Sequence, residues 1–236
     1  AAMIITDSDF VRQELIDLLG VAAHRVQTVP LGVEGSFHPR PPAELTLALT
    51  RYGLANLPYL LVVATLEPRK NLLHLVEAYS RLPATLRQHH PLAIAGARGW
   101  LTGELEQRLE PLERGGQVKR LGYLPQDDLP LLYAGAWAFA FPSLYEGFGL
   151  PVLEALASGT PTLTSNRSSL PEVAGDAALL VDPEDVDSLT AGLERLLTDT
   201  DWRAAAMRRG VWQAHRFSWE RCVEETVAVY RRALAE

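Results

Sequence analysis

From residue 59 onward the chain is a series of short apolar runs, each followed by a polar or glycine-rich turn and then by a helical pattern. The runs lie at 59–64, 91–95, 118–121, 137–141, 160–164 and 178–181. The first of them, 59–64, shows no polar alternation, so it is predicted to be buried on both faces, as strands of a parallel sheet are. The intervening spacing predicts helices over 71–82, 101–114, 127–134, 150–157, 186–197, 202–214 and 220–234. In the first of these, Asn71 is the predicted cap, and Leu72, Leu75, Val76 and Tyr79 form one face. Strands alternating with helices in this way imply an α/β fold with a doubly wound parallel sheet. Upstream, 3–6 and 25–29 read as strands flanking a helix that Asp7 or Ser8 caps and that runs to about residue 19. Residues 31–43, with Gly32, Gly35, Pro39, Pro41 and Pro42, read as a linker or domain crossover.

Ligands of such sheets bind beyond the C-terminal ends of the strands. Five polar or glycine-rich segments are predicted there: 65–71, 96–103, 122–125, 143–149 and 165–169. The fourth is the most distinctive. It reads Ser-Leu-Tyr-Glu-Gly-Phe-Gly and leads into Leu-Pro-Val-Leu-Glu-Ala-Leu-Ala. Glu146 and Glu154 are separated by seven residues, and Glu154 is the only charged residue from Gly147 through Asn166. A carboxylate inside an apolar helix is costly unless something hydrogen-bonds it. Gly147 and Gly149 free the backbone where that helix begins, and Pro151 suits its first turn. The exposed N–H groups and the positive end of the helix dipole then favour an anion at this point.

Composition narrows the classes. The chain has 236 residues, 47% hydrophobic and 22% charged, with a net charge of −7. The acidic balance argues against a nucleic-acid surface, though a local basic pocket for one phosphate group stays open. The single cysteine, Cys222, excludes an internal disulfide and a thiolate metal cluster, which fits a reducing, cytoplasmic setting. No apolar run approaches the roughly 18–20 residues of a membrane span. The six histidines show no metal-ligand spacing, and His89 and His90 are expected to face solvent. The opening Ala-Ala-Met reads as two foreign residues before Met3.

Residues 141–155, Phe-Pro-Ser-Leu-Tyr-Glu-Gly-Phe-Gly-Leu-Pro-Val-Leu-Glu-Ala, followed by Gly159-Thr-Pro, resemble the nucleotide-sugar site of the retaining glycosyltransferases of family 4. Glu67-Pro-Arg-Lys-Asn, Leu121-Gly-Tyr and Ser168-Ser-Leu-Pro-Glu-Val-Ala-Gly-Asp-Ala-Ala extend the match from about Ile4 to the C-terminus. The resemblance implies the GT-B architecture, two Rossmann-like domains facing a cleft, of which this chain would be the C-terminal half. Residues 1–36 would be a remnant of the N-terminal domain with its crossover, 37–214 the Rossmann-like nucleotide-sugar domain, and 215–236 a helix returning to the N-terminal domain. The rest of that domain, with the acceptor site, would be missing, and the chain alone would bind donor weakly and transfer little.

Roles follow for particular residues. Glu154 would accept hydrogen bonds from both ribose hydroxyls, a matched pair for a carboxylate; the alternative is a buried glutamate satisfied by backbone or a lysine. Glu146 would orient the donor sugar, against the alternative of a turn or N-cap carboxylate. Gly147, Phe148, Gly149 and Leu150 would present N–H groups to the sugar and distal phosphate. Lys70 and Arg69 would neutralise the diphosphate and stabilise it as it leaves, rather than form a solvated pair. Many members carry an arginine where this chain has Thr65, so Arg69 would substitute for it or the missing domain would contribute. Gly122, Tyr123 and Leu124 would frame the base, and Arg98 is a candidate for the base or ribose. Ser165, Asn166 and Ser168 are expected in the loop near the sugar, and Trp202, Trp212 and Trp219 in the core or at a domain contact.

The implied reaction is front-face transfer of a hexosyl group from a GDP- or UDP-sugar to a hydroxyl of a glycan or glycolipid acceptor, with retention. No cofactor or metal is expected, and no Asp-x-Asp pair is expected near the site. Glu-Pro-Arg-Lys-Asn is closest to mannosyl- or rhamnosyl-transferring members that build bacterial polysaccharide, which leans to GDP-mannose. A lipid-borne acceptor would bring the missing part to the inner face of the membrane. The alternatives are a non-catalytic sugar-nucleotide-binding module, or a GT-B epimerase or phosphorylase.

Overall fold

The computed structural model describes residues 2–100 and 103–235. The chain opens with β1 (Ile4–Thr6), α1 (Asp9–Leu19) and β2 (Val26–Thr28), and the two strands pair in parallel as a small sheet of their own. Of the two predicted caps, Ser8 is the one that forms. Its backbone is extended and its hydroxyl accepts a hydrogen bond from the Val11 N–H.

After the crossover, α2 (Pro42–Arg51) begins where the sequence reading still saw linker. Pro42 sits in its first turn, where a missing N–H costs nothing, and Leu45, Ala48 and Leu49 are buried. The order is then β3 (Leu60–Val63), α3 (Leu72–Arg81), α4 (Ala84–His89), β4 (Leu92–Ala95), α5 (Gly103–Arg114), β5 (Val118–Gly122), α6 (Leu129–Gly135) and β6 (Ala138–Phe141). It continues with α7 (Leu150–Ala157), β7 (Thr162–Ser165), α8 (Leu170–Ala174), β8 (Ala178–Val181), α9 (Val186–Thr198), α10 (Thr200–Ala214) and α11 (Trp219–Ala235). Positions 101 and 102, where the predicted helix over 101–114 starts, lie outside the described residues.

β3 to β8 form one parallel sheet of six strands, ordered β5-β4-β3-β6-β7-β8. This is the doubly wound arrangement that the strand–helix alternation implies. The chain leaves β3 towards β4 and β5, then returns to the other side of β3 as β6. β3 and β6 therefore flank the topological switch point, where adjacent loops diverge and a crevice opens. β4, β6 and β7 are buried along their whole length, while the outer strands β5 and β8 are not. The hydroxyls that the β7 threonines bring into the interior are satisfied, Thr162 on the Thr160 carbonyl at 2.8 Å and Thr164 on the Phe141 carbonyl at 2.8 Å.

Three local expectations are corrected. Asn71 does not cap α3. It is left-handed (φ 58°), and its buried amide donates to the Pro183 carbonyl at 2.6 Å instead. His90 does not face solvent. It is buried on Trp137, with Nδ1 2.8 Å from the Pro58 carbonyl, while His89 is exposed. Of the two settings expected for Trp212, core or domain contact, the core is excluded by its 65% exposure on α10.

α10 backs α7, the helix that carries Glu154. Gly210 sits at the closest approach, where a Cβ would lie 3.2 Å from both Leu156 Cδ2 and the Leu156 carbonyl oxygen. Gly210→Leu is expected to force these helices apart and to destabilise the protein by about 1–3 kcal/mol, measured by urea denaturation.

Candidate functional site

The turn Pro68–Lys70 follows β3, and residues 142–149 follow β6, so the switch point brings them side by side. Glu146 links the two. Lys70 Nζ lies 2.6 Å from its Oε1, an Arg69 guanidinium nitrogen 2.9 Å from its Oε2, and the Ser143 hydroxyl donates to Oε1 at 2.7 Å. Two cations thus neutralise one carboxylate, which is what allows it to be buried. The two cations differ. Lys70 is 13% exposed and its ammonium lies 5.0 Å from the centre of the Phe141 ring. Arg69 is 42% exposed and is also tied to Glu67 and to the Tyr145 carbonyl.

The backbone of the loop is held from behind. Ser169, fully buried, places its hydroxyl 2.9 Å from the Glu146 carbonyl and 2.7 Å from the Phe148 carbonyl. The Ser8 hydroxyl donates to the Gly147 carbonyl at 2.6 Å. The Glu146 N–H donates to Ser168 Oγ at 3.0 Å. By contrast, the N–H groups of Gly147, Phe148 and Gly149 make no hydrogen bond among the described residues, and the Leu150 N–H opens the first turn of α7. Gly149 reaches this geometry at φ 116°, closed to most other residues. A Cβ on Gly147 would meet nothing within 4 Å. The Phe148 side chain packs inward against Phe217, leaving only its backbone for a ligand.

Glu154 sits one turn into α7 and, among the described residues, forms no ion pair. Burial pushes its carboxyl up to about 7, and the nearby Glu34 carboxylate pushes the same way. The Tyr133 hydroxyl from α6 opposes this shift; it faces Glu154 but falls short of a formed hydrogen bond and has no other partner. Glu154 lines a cavity of about 320 Å³ with Glu34, Leu150, Tyr123, Leu124 and Gln126. Through Tyr123 and Leu124 this joins a second cavity of about 370 Å³, lined by Lys70, Thr65, Gly96 and Pro151. Gly96 in turn borders a third, of about 340 Å³, with Arg98, Arg120 and Gly122. The three cavities are neighbours, sharing Tyr123 and Leu124 between the first two and Gly96 between the second and third.

Most of the predicted site residues meet there. Tyr123 and Leu124 line two of these cavities, one with Leu150 and Glu154 and the other with Lys70, Gly122 and Arg98 line the third, and Glu146 is joined to Lys70 by its ion pair. Arg69 is absent from the lining of the cavity that Lys70 and Thr65 share. Arg98 is 76% exposed at the far end, with Nε 3.7 Å from Glu106. Tyr123 is 82% exposed, a ring at the rim rather than in the core.

Sequence reasoning missed Tyr133, Glu34, Ser169 and Ser8. It also placed no Asp-x-Asp pair near the site, whereas Asp7-Ser8-Asp9 is brought against the Gly147 carbonyl through Ser8. Asp9 accepts from the Thr28 hydroxyl at 2.6 Å, and among the described residues no group of three or more His, Cys, Asp or Glu is placed to hold a metal. No described helix is long and apolar enough to cross a membrane.

A family model described as glycosyl transferases group 1 matches residues 53–210. The O-antigen chain mannosyltransferase B of Escherichia coli is 46% identical over 231 residues, covering 98% of this chain and 61% of that protein. The serotype-specific mannosyltransferase WbdA of Escherichia coli is 34% identical over 240 residues, covering 99% of this chain and 29% of that protein. The chain thus spans about three fifths of one relative and under a third of the other. Among solved structures, HepE of Anabaena in complex with UDP and glucose superposes with a TM-score of 0.85 at 21% identity, covering 97% of this chain and 63% of that one. The fold is that of the GT-B glycosyltransferases.

Two outcomes test this geometry. Folded Glu154 holds its proton to about pH 7 against an ordinary value of 4.5, so the folded state binds more protons across that window and stability falls as pH rises through it. Glu154→Gln removes that loss. Its melting temperature is expected to exceed that of the parent at pH 8, by the equivalent of about 2–3 kcal/mol, with the gap closing towards pH 5. Gly147→Ala meets no internal clash and is expected to keep or raise stability by about 0.5 kcal/mol, while its methyl group, standing over the loop, lowers affinity for a nucleoside diphosphate sugar in calorimetry.

Proposed function

The chain belongs to the glycosyl transferases group 1 family, and we propose that it forms the half of such an enzyme that binds the donor, a nucleoside diphosphate sugar. The observation that carries the reading is the set of groups gathered around the switch point. An ammonium, a run of unpaired N–H groups at the N-terminus of α7, and a carboxylate with no ion pair among the described residues are brought together there. The diphosphate sits between Lys70 and the N–H groups, where charge and helix dipole both favour an anion. The ribose diol gives its two hydrogen bonds to Glu154. The base lies against Gly122, Tyr123 and Leu124, with Arg98 beyond it.

In this reading Glu146 orients the sugar and Arg69 holds Glu146, so Arg69 acts on the donor through that carboxylate. Transfer of the hexosyl group to an acceptor hydroxyl leaves a nucleoside diphosphate, whose developing charge is stabilised by Lys70 and the helix N-terminus; such preorganised stabilisation is commonly the largest catalytic contribution. Substitution proceeds with retention, the leaving phosphate helping to take the acceptor proton. The two Escherichia coli relatives are mannosyltransferases, which supports a mannosyl donor, GDP-mannose, and an acceptor that is a growing glycan or glycolipid. The acceptor-binding half lies outside these residues, so the chain alone binds donor and transfers little.

Calorimetry against GDP, UDP, GDP-mannose and UDP-glucose tests this. Binding of GDP and GDP-mannose is expected, with Lys70→Ala lowering both affinities at least tenfold, as loss of a charge-assisted contact of about 1.5–3 kcal/mol would. An absence of binding by every nucleoside diphosphate at millimolar concentration overturns the reading.

A further inference from the structure

We infer that Ser8 is a positioning residue for the donor loop: the N-terminal unit, through α1, sets the direction in which the Phe148 N–H points. This rests on the donor reading of residues 146–150 given above.

The Ser8 hydroxyl has one proton and a defined direction. Its oxygen accepts from the Val11 N–H at 3.2 Å, and its proton goes to the Gly147 carbonyl at 2.6 Å. Ser8 is 2% exposed, so water does not compete for either bond. In a trans peptide the C=O of one residue and the N–H of the next point in opposite directions. Holding the Gly147 carbonyl on Ser8 therefore turns the Phe148 N–H away from α1, and that N–H has no partner among the described residues. The Ser169 hydroxyl, with its one proton, lies 2.9 Å from the Glu146 carbonyl and 2.7 Å from the Phe148 carbonyl of the two neighbouring peptides. Of the three peptides that would meet the distal phosphate and sugar, the middle one is thus fixed from a different structural unit.

That unit is docked by more than one contact. The Glu172 carboxylate, on α8, accepts from the Asp9 N–H at 2.9 Å and the Phe10 N–H at 2.7 Å, which occupies the positive end of α1. Phe10 packs edge-on against Tyr145 with ring centres 5.8 Å apart, and the Tyr145 hydroxyl donates to Glu14. Tyr145 immediately precedes Glu146. The seating of α1 and the geometry of the donor loop are one arrangement, so a shift of α1 changes what the loop offers a donor.

The test uses the full chain and compares a nucleoside diphosphate with the corresponding monophosphate, which reaches Glu154 but not the loop. Ser8→Ala is expected to weaken diphosphate binding about tenfold while leaving the monophosphate within twofold. Ser8→Thr, which keeps the hydroxyl, is expected to restore the parent ratio. Glu172→Gln, an exposed change that leaves the core intact, is expected to move the ratio in the same direction by a smaller factor. A general loss of stability would weaken both ligands together, so an unchanged ratio in Ser8→Ala and in Glu172→Gln overturns the inference while leaving the donor reading standing. A parent chain that binds no nucleoside diphosphate overturns both.

Discussion

The ion triad of Lys70, Arg69 and Glu146 ties together the loops that leave the two central strands of the sheet. A parallel sheet buried on both faces must return each crossover at its edges, and at the switch point two such loops diverge. Left alone, the loops after β3 and β6 would open a gap. A carboxylate from one and two cations from the other close it. The Leu144 N–H adds a hydrogen bond to the Arg69 carbonyl at 2.9 Å. Lys70 and Glu146 are each close to nine-tenths buried, so removing Glu146 would strand the Lys70 charge away from water, commonly a loss of about 3–5 kcal/mol. The position of α7, which starts four residues after Glu146, depends on this clasp.

What the sequence disclosed and what it withheld divide along physical lines. The strands were legible because both faces of the central ones are buried, which forces continuous apolar runs. The glycines at 147 and 149 and the lone charge at Glu154 were legible because apolar surroundings make such residues expensive to keep. The short helices α2, α4 and α8 were not, because five to ten residues give too few turns for an amphipathic period to stand out. Asn71 failed as a cap for a different reason. Its type suits a cap, but a left-handed backbone sends its amide to Pro183, a partner 112 positions away. The same limit hid Tyr133, Ser8 and Ser169. Each acts on the site through a contact that only the fold creates, and an isolated serine or tyrosine carries no pattern.

Burial alone did not decide which residues matter. Ser169 and Ser143 are wholly buried and satisfied by loop carbonyls and Glu146, so their hydroxyls fix backbone. Tyr133 is wholly buried too, yet its hydroxyl is left without a formed bond beside a carboxylate that is itself short of donors. A buried polar pair left incomplete in this way is unusual in a folded interior.

The two glutamates that look equivalent in the sequence are therefore opposites in the fold. Glu146 is held by two cations and a hydroxyl, and its charge is already neutralised from within. Glu154 has only a distant hydroxyl and a neighbouring carboxylate, and its proton affinity is raised accordingly. In the proposed function, a donor brings hydrogen-bond donors to Glu154 and negative charge to Lys70 and the N-terminus of α7, in that order along one molecule. A simple sugar supplies the donors without the charge, and free phosphate supplies the charge without the donors. A nucleoside diphosphate carries both at the required ends, which is why the asymmetry of the pair, more than the presence of either glutamate, points to the donor.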